Sequence, residues 1–153
     1  MSLKLETMCV VLDSDDSEVL SAFYERLLGW IRYPHSADDE WIVVNNGKKD
    51  GFPELIFQTI ENYVRPVWPD VKGKQSQMVH LDFHVEDMEE GVRHALACGA
   101  ALSPVQLEKD WRVLLDPAGH PFCILPKRYP NHCSERVREE NDTYTVLNTI
   151  GLV

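Results

Sequence analysis

Apolar and polar positions along this chain follow one pattern that is then repeated. Leu5–Asp13, LETMCVVLD, is an apolar, β-branched run of strand length. The acidic stretch Ser14–Ser17 follows, in which Asp15 or Asp16 can accept hydrogen bonds from the first free amides of a helix. From Glu18 onward, Val19, Leu20, Phe23, Leu27 and Leu28 recur at helical spacing and predict one apolar face. Gly29 closes that helix, since glycine takes the left-handed cap conformation without strain. Trp30–Tyr33 and Trp41–Asn45 predict two strands around a polar turn. Asn46-Gly47 marks a further turn, and Glu54–Ile60, ELIFQTI, predicts a fourth strand after Pro53.

Residues 61–77 carry Pro66, Pro69 and Gly73 with little periodicity and form a linker. Val79–Val85 then alternates: Val79, Leu81, Phe83 and Val85 face one way, His80, Asp82 and His84 the other. A helix over Met88–Cys98 follows, with Met88, Val92, Ala95 and Leu96 on its buried face and Gly99 as its stop. Ala101–Val105, Trp111–Leu115 and Pro121–Leu125 predict three strands, the last two joined by the turn Asp116-Pro117-Ala118-Gly119. Both halves therefore run β-α-β-β-β. Cys9 stands seven positions before Asp16, and His80 seven before Asp87, each aspartate opening a helix that closes at a glycine. Such spacing indicates a duplicated module. The expectation is an α+β fold of two tandem βαβββ modules: a domain over 1–126, with module 1 at about 5–60, the linker 61–77 and module 2 at about 78–126. Residues 127–153 are an extension packing on the domain or on a partner subunit.

The chain has 153 residues, 44% hydrophobic and 26% charged, which suits one soluble globular domain. Its formal net charge of −10 argues against nucleic acid or an anionic membrane as a partner, because both require a basic surface. No apolar run approaches the roughly 20 residues that span a bilayer, and MSLKLETM has no hydrophobic signal region, so a cytoplasmic location is expected. The four cysteines contain no CxxC pair and are expected as free thiols. GxGxxG, P-loop, GxSxG and HExxH motifs are absent, leaving nucleotide cofactors and serine hydrolysis without support.

With FYERLLGW in the first module, DPAGHPFCIL in the second, and Trp68-Pro69 ahead of the HLDF strand, the chain resembles the vicinal oxygen chelate superfamily over about Leu5 to Pro126. That group includes glyoxalases, bleomycin-resistance proteins and extradiol dioxygenases, and the short glyoxalase-like domains look most similar. The resemblance implies that each module curls into a half-barrel and that two halves enclose one cavity. Its metal-dependent members place four ligands there, from the first and last strand of each module. Carried over, those positions are Cys9, Glu54, His80 and Cys123. The usual histidine-or-glutamine and glutamate are thus replaced by cysteine at two places.

Two cysteines, one histidine and one glutamate form a donor set that zinc accepts, whereas oxygenase iron favours two histidines and a carboxylate. Two thiolates would also weaken the Lewis acidity a glyoxalase-type reaction uses. Free cysteines in strands serve equally as small buried hydrophobes. Glu54 shares a face with Ile56 and Gln58, and as a cavity carboxylate it would act as ligand, general base or partner of His80. Glu54 and His80 are the candidate catalytic pair. The row His80, Asp82, His84 implies a polar or ligand-filled space, since buried polar groups need partners. Gln58, Phe57, Trp68 and Trp111 are candidate wall residues beside Asp82 and His84. His120 is expected to shape the turn before the last strand. Three readings stay open: a divalent-metal lyase or isomerase, a metal-free protein that sequesters an aromatic or cationic compound, and a domain serving only in assembly. A homodimer is expected, and a small-molecule ligand in the first two readings.

Overall fold

The computed structural model describes residues 8–36, 39, 41–48 and 53–127. The start of the first expected strand, at 5–7, and the extension beyond Lys127 lie outside the described residues. The elements are β1 (Cys9–Ser14), α1 (Ser17–Leu28), β2 (Ile31–Arg32), β3 (Trp41–Asn45), β4 (Glu54–Thr59), β5 (Leu81–Val85), α2 (Met88–Cys98), β6 (Ala101–Leu102), β7 (Arg112–Leu115) and β8 (Pro121–Pro126). They build two four-stranded sheets, β1-β4-β3-β2 and β5-β8-β7-β6, identical in order. In each, the first strand pairs parallel with the last and the remaining pairs are antiparallel. The fold is α+β, made of two βαβββ modules.

Both helices start on the aspartates that the duplication singles out. Asp16 Oδ1 accepts from the Val19 amide at 3.0 Å and Asp87 Oδ1 from the Glu90 amide at 3.0 Å, each satisfying a donor that the first helical turn leaves free. Gly29 and Gly99 end the helices at φ 62° and 113°, where a side chain would be strained. The buried faces differ in part from the periodicity. Val19 is half exposed, and Leu20, Ser21, Phe23 and Tyr24 take the core side of α1. In α2, Leu96 is exposed and Cys98 is buried beside Ala95.

β2 and β6 are shorter than the sequence suggests. After β2 the Tyr33 amide makes one more bond, to the Val43 carbonyl at 2.9 Å, and Pro34 then has no amide to continue the ladder. Beyond β6 the side-chain amide of Gln106 replaces a strand. It accepts from the Val113 amide and donates to the Val113 carbonyl, both at 2.9 Å.

One core joins the modules, and α1 is its centre. Phe23, Tyr24, Phe57 and Phe122 are all essentially inaccessible. Tyr24 stacks on Phe57 of β4 at 5.3 Å, while Phe23 meets Phe122 of β8 at 6.0 Å, so a helix of the first module packs against both sheets. A polar pin reinforces this contact. The Tyr24 hydroxyl donates to the buried Asp116 carboxylate at 3.1 Å, and Asp116 also receives the His120 amide at 2.9 Å and His120 Nδ1 at 2.8 Å. His120 Nε2 in turn lies 3.1 Å from the hydroxyl of Tyr63 in the linker. Arg26 to the Cys98 carbonyl and His94 to the Leu27 carbonyl, each at 3.1 Å, tie the two helix ends together. Both sheets turn their helix-side faces into this core. The other face of the first sheet is open at Val11 and Trp41, whereas that of the second is covered at Val113 and Leu125. The candidate chemistry lies on these other faces.

Candidate functional site

Period-2 alternation decides which side chains reach the open faces. In β1 the core takes Leu12, and Cys9, Val11 and Asp13 are exposed on the other side. In β4 the core takes Leu55 and Phe57, leaving Glu54, Ile56 and Gln58 partly accessible. The register places Cys9 beside Glu54, Val11 beside Ile56 and Asp13 beside Gln58. Trp41, opposite Gln58, extends this face and is 52% exposed. The first module thus presents two carboxylates, a thiol and an amide on an apolar ground of Val11, Ile56 and Trp41.

Glu54 is held from two sides. Asn45 Nδ2 donates to its Oε1 at 3.2 Å, and the Cys9 thiol donates to its Oε2 at 3.4 Å. Desolvation, with the Glu54 hydrogen bond and charge adding to it, pushes the Cys9 thiol above its ordinary pKa. Asn45 also donates to the Tyr33 hydroxyl at 3.2 Å, so one buried amide orients the carboxylate against the end of the module. The sequence offered one signal for Asn45, its place at alternation distance from Trp41 and Val43.

The second module carries the corresponding set. Asp82 pairs with Cys123 across β5 and β8, and His80 is the residue immediately before β5, which starts two residues later than the alternation from Val79 suggests. His80 Nε2 lies 3.5 Å from Asp82 Oδ1. The donor atoms of His80, Asp82 and Cys123 all fall within 4.8 Å of one another. Burial pushes the Cys123 thiol up to about 12, with the Asp82 carboxylate contributing by charge and hydrogen bonding. Val113, opposite Cys123, and Leu125, two residues along, are buried although outside the main core, so Cys123 sits at the margin between covered and open sheet. His84 Nδ1 lies 3.3 Å from the Pro126 carbonyl at the far end of β5. Asp82 and His84 also border a cavity of about 310 Å³ with Leu27, Leu28 and His94.

The four positions implied by the family resemblance therefore divide into Cys9–Glu54 on one sheet and His80–Cys123 on the other. Their donor atoms do not gather around one point within the chain. Among the described residues, His80, Asp82 and Cys123 form the one group of three or more such side chains that could hold a metal ion. Asp82 enters this group in place of Cys9 and Glu54.

The wall residues also divide. Phe57 lies in the core against Tyr24 and is fully buried, because alternation from Glu54 points it toward α1. Gln58 borders a cleft of about 620 Å³ at the start of α1, together with Asp15, Asp16, Glu18 and His35. In that cleft His35 Nε2 contacts Glu18, which also accepts from Arg32 at 2.9 Å. Trp68 is partly buried in the linker, and its indole nitrogen has no hydrogen-bond partner among the described residues. Trp111, also partly buried, directly precedes β7.

The sequence profile of the glyoxalase-like domain matches residues 9–125. The chain belongs to the glyoxalase-like domain family. Solved structures agree on the fold. Fosfomycin resistance protein FosX of Mesorhizobium loti superposes with a TM-score of 0.55 at 14% identity, over 90% of this chain and 99% of that one. A glyoxalase I of Leishmania major, named as trypanothione-dependent, gives 0.54 at 15% identity, over 95% and 96%. Lactoylglutathione lyase of Agrobacterium tumefaciens gives 0.53 at 15% identity, over 82% and 96%. No curated protein sequence matches. At such identities the likeness establishes the vicinal oxygen chelate fold of this glyoxalase-like domain. Among its described residues no helix is long and apolar enough to cross a membrane, and Cys9, Cys98 and Cys123 are free thiols.

Proposed function

We propose that this glyoxalase-like domain binds a small organic molecule on the open faces of its sheets and that two copies of the chain together enclose the site. One observation carries this reading. Cys9, Glu54 and Gln58 stand on the sheet face turned away from α1, amid exposed Val11 and Trp41, and His80, Asp82 and Cys123 form the corresponding polar group at β5 and β8 of the second module. An apolar ground with a few convergent polar groups is the usual make-up of a ligand site. Here each face is only half of one. A second copy laid against it supplies the missing wall and removes Val11 and Trp41, together with the nearby Met78 and Val79, from water.

In this reading the substrate carries neighbouring oxygens. Glu54, fixed by Asn45, accepts or returns a proton, and a divalent ion such as zinc supplies Lewis acidity near His80. The activity is then that of a lyase or isomerase. A second reading rests on Asp13, Glu54 and Trp41 sharing one face. That combination suits a cationic aromatic compound held without chemistry, as in a sequestering protein. Both versions place the protein in the cytoplasm with free thiols, away from nucleic acid and membranes.

A thermal-shift screen of small dicarbonyl, hydroxyacid and cationic aromatic compounds tests the proposal, alongside light scattering for the assembly state. The expected outcome is a mass of twice the chain and a stabilising ligand whose effect Glu54→Gln and Trp41→Ala both diminish. A monomer, or a ligand whose binding neither substitution alters, would overturn it.

A further inference from the structure

We infer that His80, Asp82 and Cys123 form a zinc-type metal site belonging wholly to the second module, one that uses neither Cys9 nor Glu54 as a ligand. This deepens the proposed function and rests on its reading of the open faces, but it makes a separate claim about where the ion sits.

The geometry is that of a three-ligand site. At bond lengths of about 2.0–2.3 Å, neighbouring ligand atoms of a tetrahedral zinc centre stand roughly 3.3–3.8 Å apart. His80 Nε2 and Asp82 Oδ1 are already 3.5 Å apart. Cys123 Sγ lies within 4.8 Å of both and needs only a small side-chain adjustment to complete the triangle. The backbone prearranges this set. Asp82 on β5 is the register partner of Cys123 on β8, and His80, the residue just before β5, brings its ring to Asp82. Such placement holds two of the three ligands on paired strands and the third at the entry to one of them.

The donors also select the ion. One nitrogen, one oxygen and one sulfur suit zinc, whereas magnesium and calcium take oxygen ligands. Binding forms the bond from Cys123 sulfur to the metal and releases the thiol proton to water, with no change of oxidation state. Three protein ligands leave a fourth position for water or a substrate oxygen. His80 and Asp82 are partly exposed, so that position is reachable from the open face. The carboxylate of Glu54, on the other sheet, is then free for proton transfer rather than tied up in coordination.

Cobalt titration of the full-length protein tests this, with the protein purified without a metal-affinity tag and first stripped by a chelator. The expected result is one cobalt per chain, with a thiolate-to-cobalt charge-transfer band in the near ultraviolet and tetrahedral bands in the visible. Cys123→Ser abolishes the charge-transfer band, and Asp82→Asn weakens affinity at least tenfold. Cys9→Ser and Glu54→Gln leave stoichiometry and spectrum as in the parent. Circular dichroism of each variant separates loss of a ligand from loss of the fold. Absence of a charge-transfer band in the parent would overturn the inference, as would its loss in Cys9→Ser or Glu54→Gln, or unchanged affinity in Asp82→Asn. A ligand found in the thermal-shift screen, with no cobalt bound, would refute the metal site while leaving the small-molecule reading intact.

Discussion

Tyr24→Phe isolates the polar pin between the modules, and its cost can be worked from the structure. The substitution removes one hydroxyl and keeps the ring that packs on Phe57 and Phe23, so almost no packing is lost. What goes is the 3.1 Å bond to the Asp116 carboxylate, in a place where neither side chain meets water. Burial holds the Tyr24 phenol well above its ordinary pKa, and the neighbouring Asp116 charge raises it further, so it is a protonated donor throughout the neutral range. A hydrogen bond to a charged group contributes about 1.5–3 kcal/mol. Asp116 keeps two bonds from His120, which puts the expected loss near the lower half, about 1.5–2 kcal/mol. For a chain of this length that corresponds to a fall in Tm of about 3–8 °C. Asp116→Ala also orphans the Tyr24 hydroxyl and His120, and should cost more, about 3–5 kcal/mol. Urea unfolding followed by fluorescence and by circular dichroism measures both values and checks that the two modules unfold together. In the double variant the two losses should be far from additive, since each removes the same bond. A Tyr24→Phe protein as stable as the parent, or fully additive losses, would refute the pin.

Two further expectations concern titration. Because Cys123 is pushed up to about 12, chiefly by burial and then by Asp82, its thiol stays protonated at pH 7–9. Iodoacetamide should therefore modify it more slowly than an ordinary exposed cysteine, as read by peptide mass spectrometry, and Asp82→Asn should speed the reaction only in part; equal rates would contradict this. At the start of α1, the Glu18 hydrogen bond raises His35 above its ordinary value, and the same bond lowers Glu18. The raised imidazole stabilises the fold fully below its unfolded pKa of about 6.5 and loses that effect as pH rises through the folded value. The lowered carboxylate contributes above about 4.3 and loses its effect as pH falls through its own folded value. The pair is thus strongest between those limits. An NMR titration should find His35 above its ordinary value and lower in Glu18→Gln than in the parent.

Local rules made much of this molecule legible in its sequence. Asp16 and Asp87 announced themselves by standing before apolar runs at equal distances from Cys9 and His80, and both became N-caps because the first helical amides have no other acceptor. Alternation was equally reliable, since a strand has no other way to place successive side chains. It assigned Glu54 and Gln58 to one face and, applied without exception, would have removed Phe57 from the wall residues. Helix faces were less certain. In α1 Val19 fits the spacing, but the core takes Tyr24 and Ser21 instead, because the helix packs against two sheets rather than one, and in α2 Cys98 takes the place expected of Leu96.

The division of the candidate site has a different cause. Cys9 and Glu54 meet because β1 and β4 are parallel partners in one sheet, and Asp82 and Cys123 meet for the same reason in the other. Within a module, duplication fixes the partners, and the sequence carries that information as repeated strand order. Between modules, the arrangement depends on Phe23 reaching Phe122 and Tyr24 reaching Asp116, contacts that no periodicity marks. Those contacts place the helices inside and leave Cys9–Glu54 and His80–Cys123 on separate sheets, so one chain brings only half of the implied ligand set to any single point. Asp82 shows the consequence for chemistry. Its polarity was visible in HLDFH, yet its capacity to join His80 and Cys123 around one ion depends on register with a strand far along the chain. Position in the pairing, more than residue type, makes it a candidate ligand.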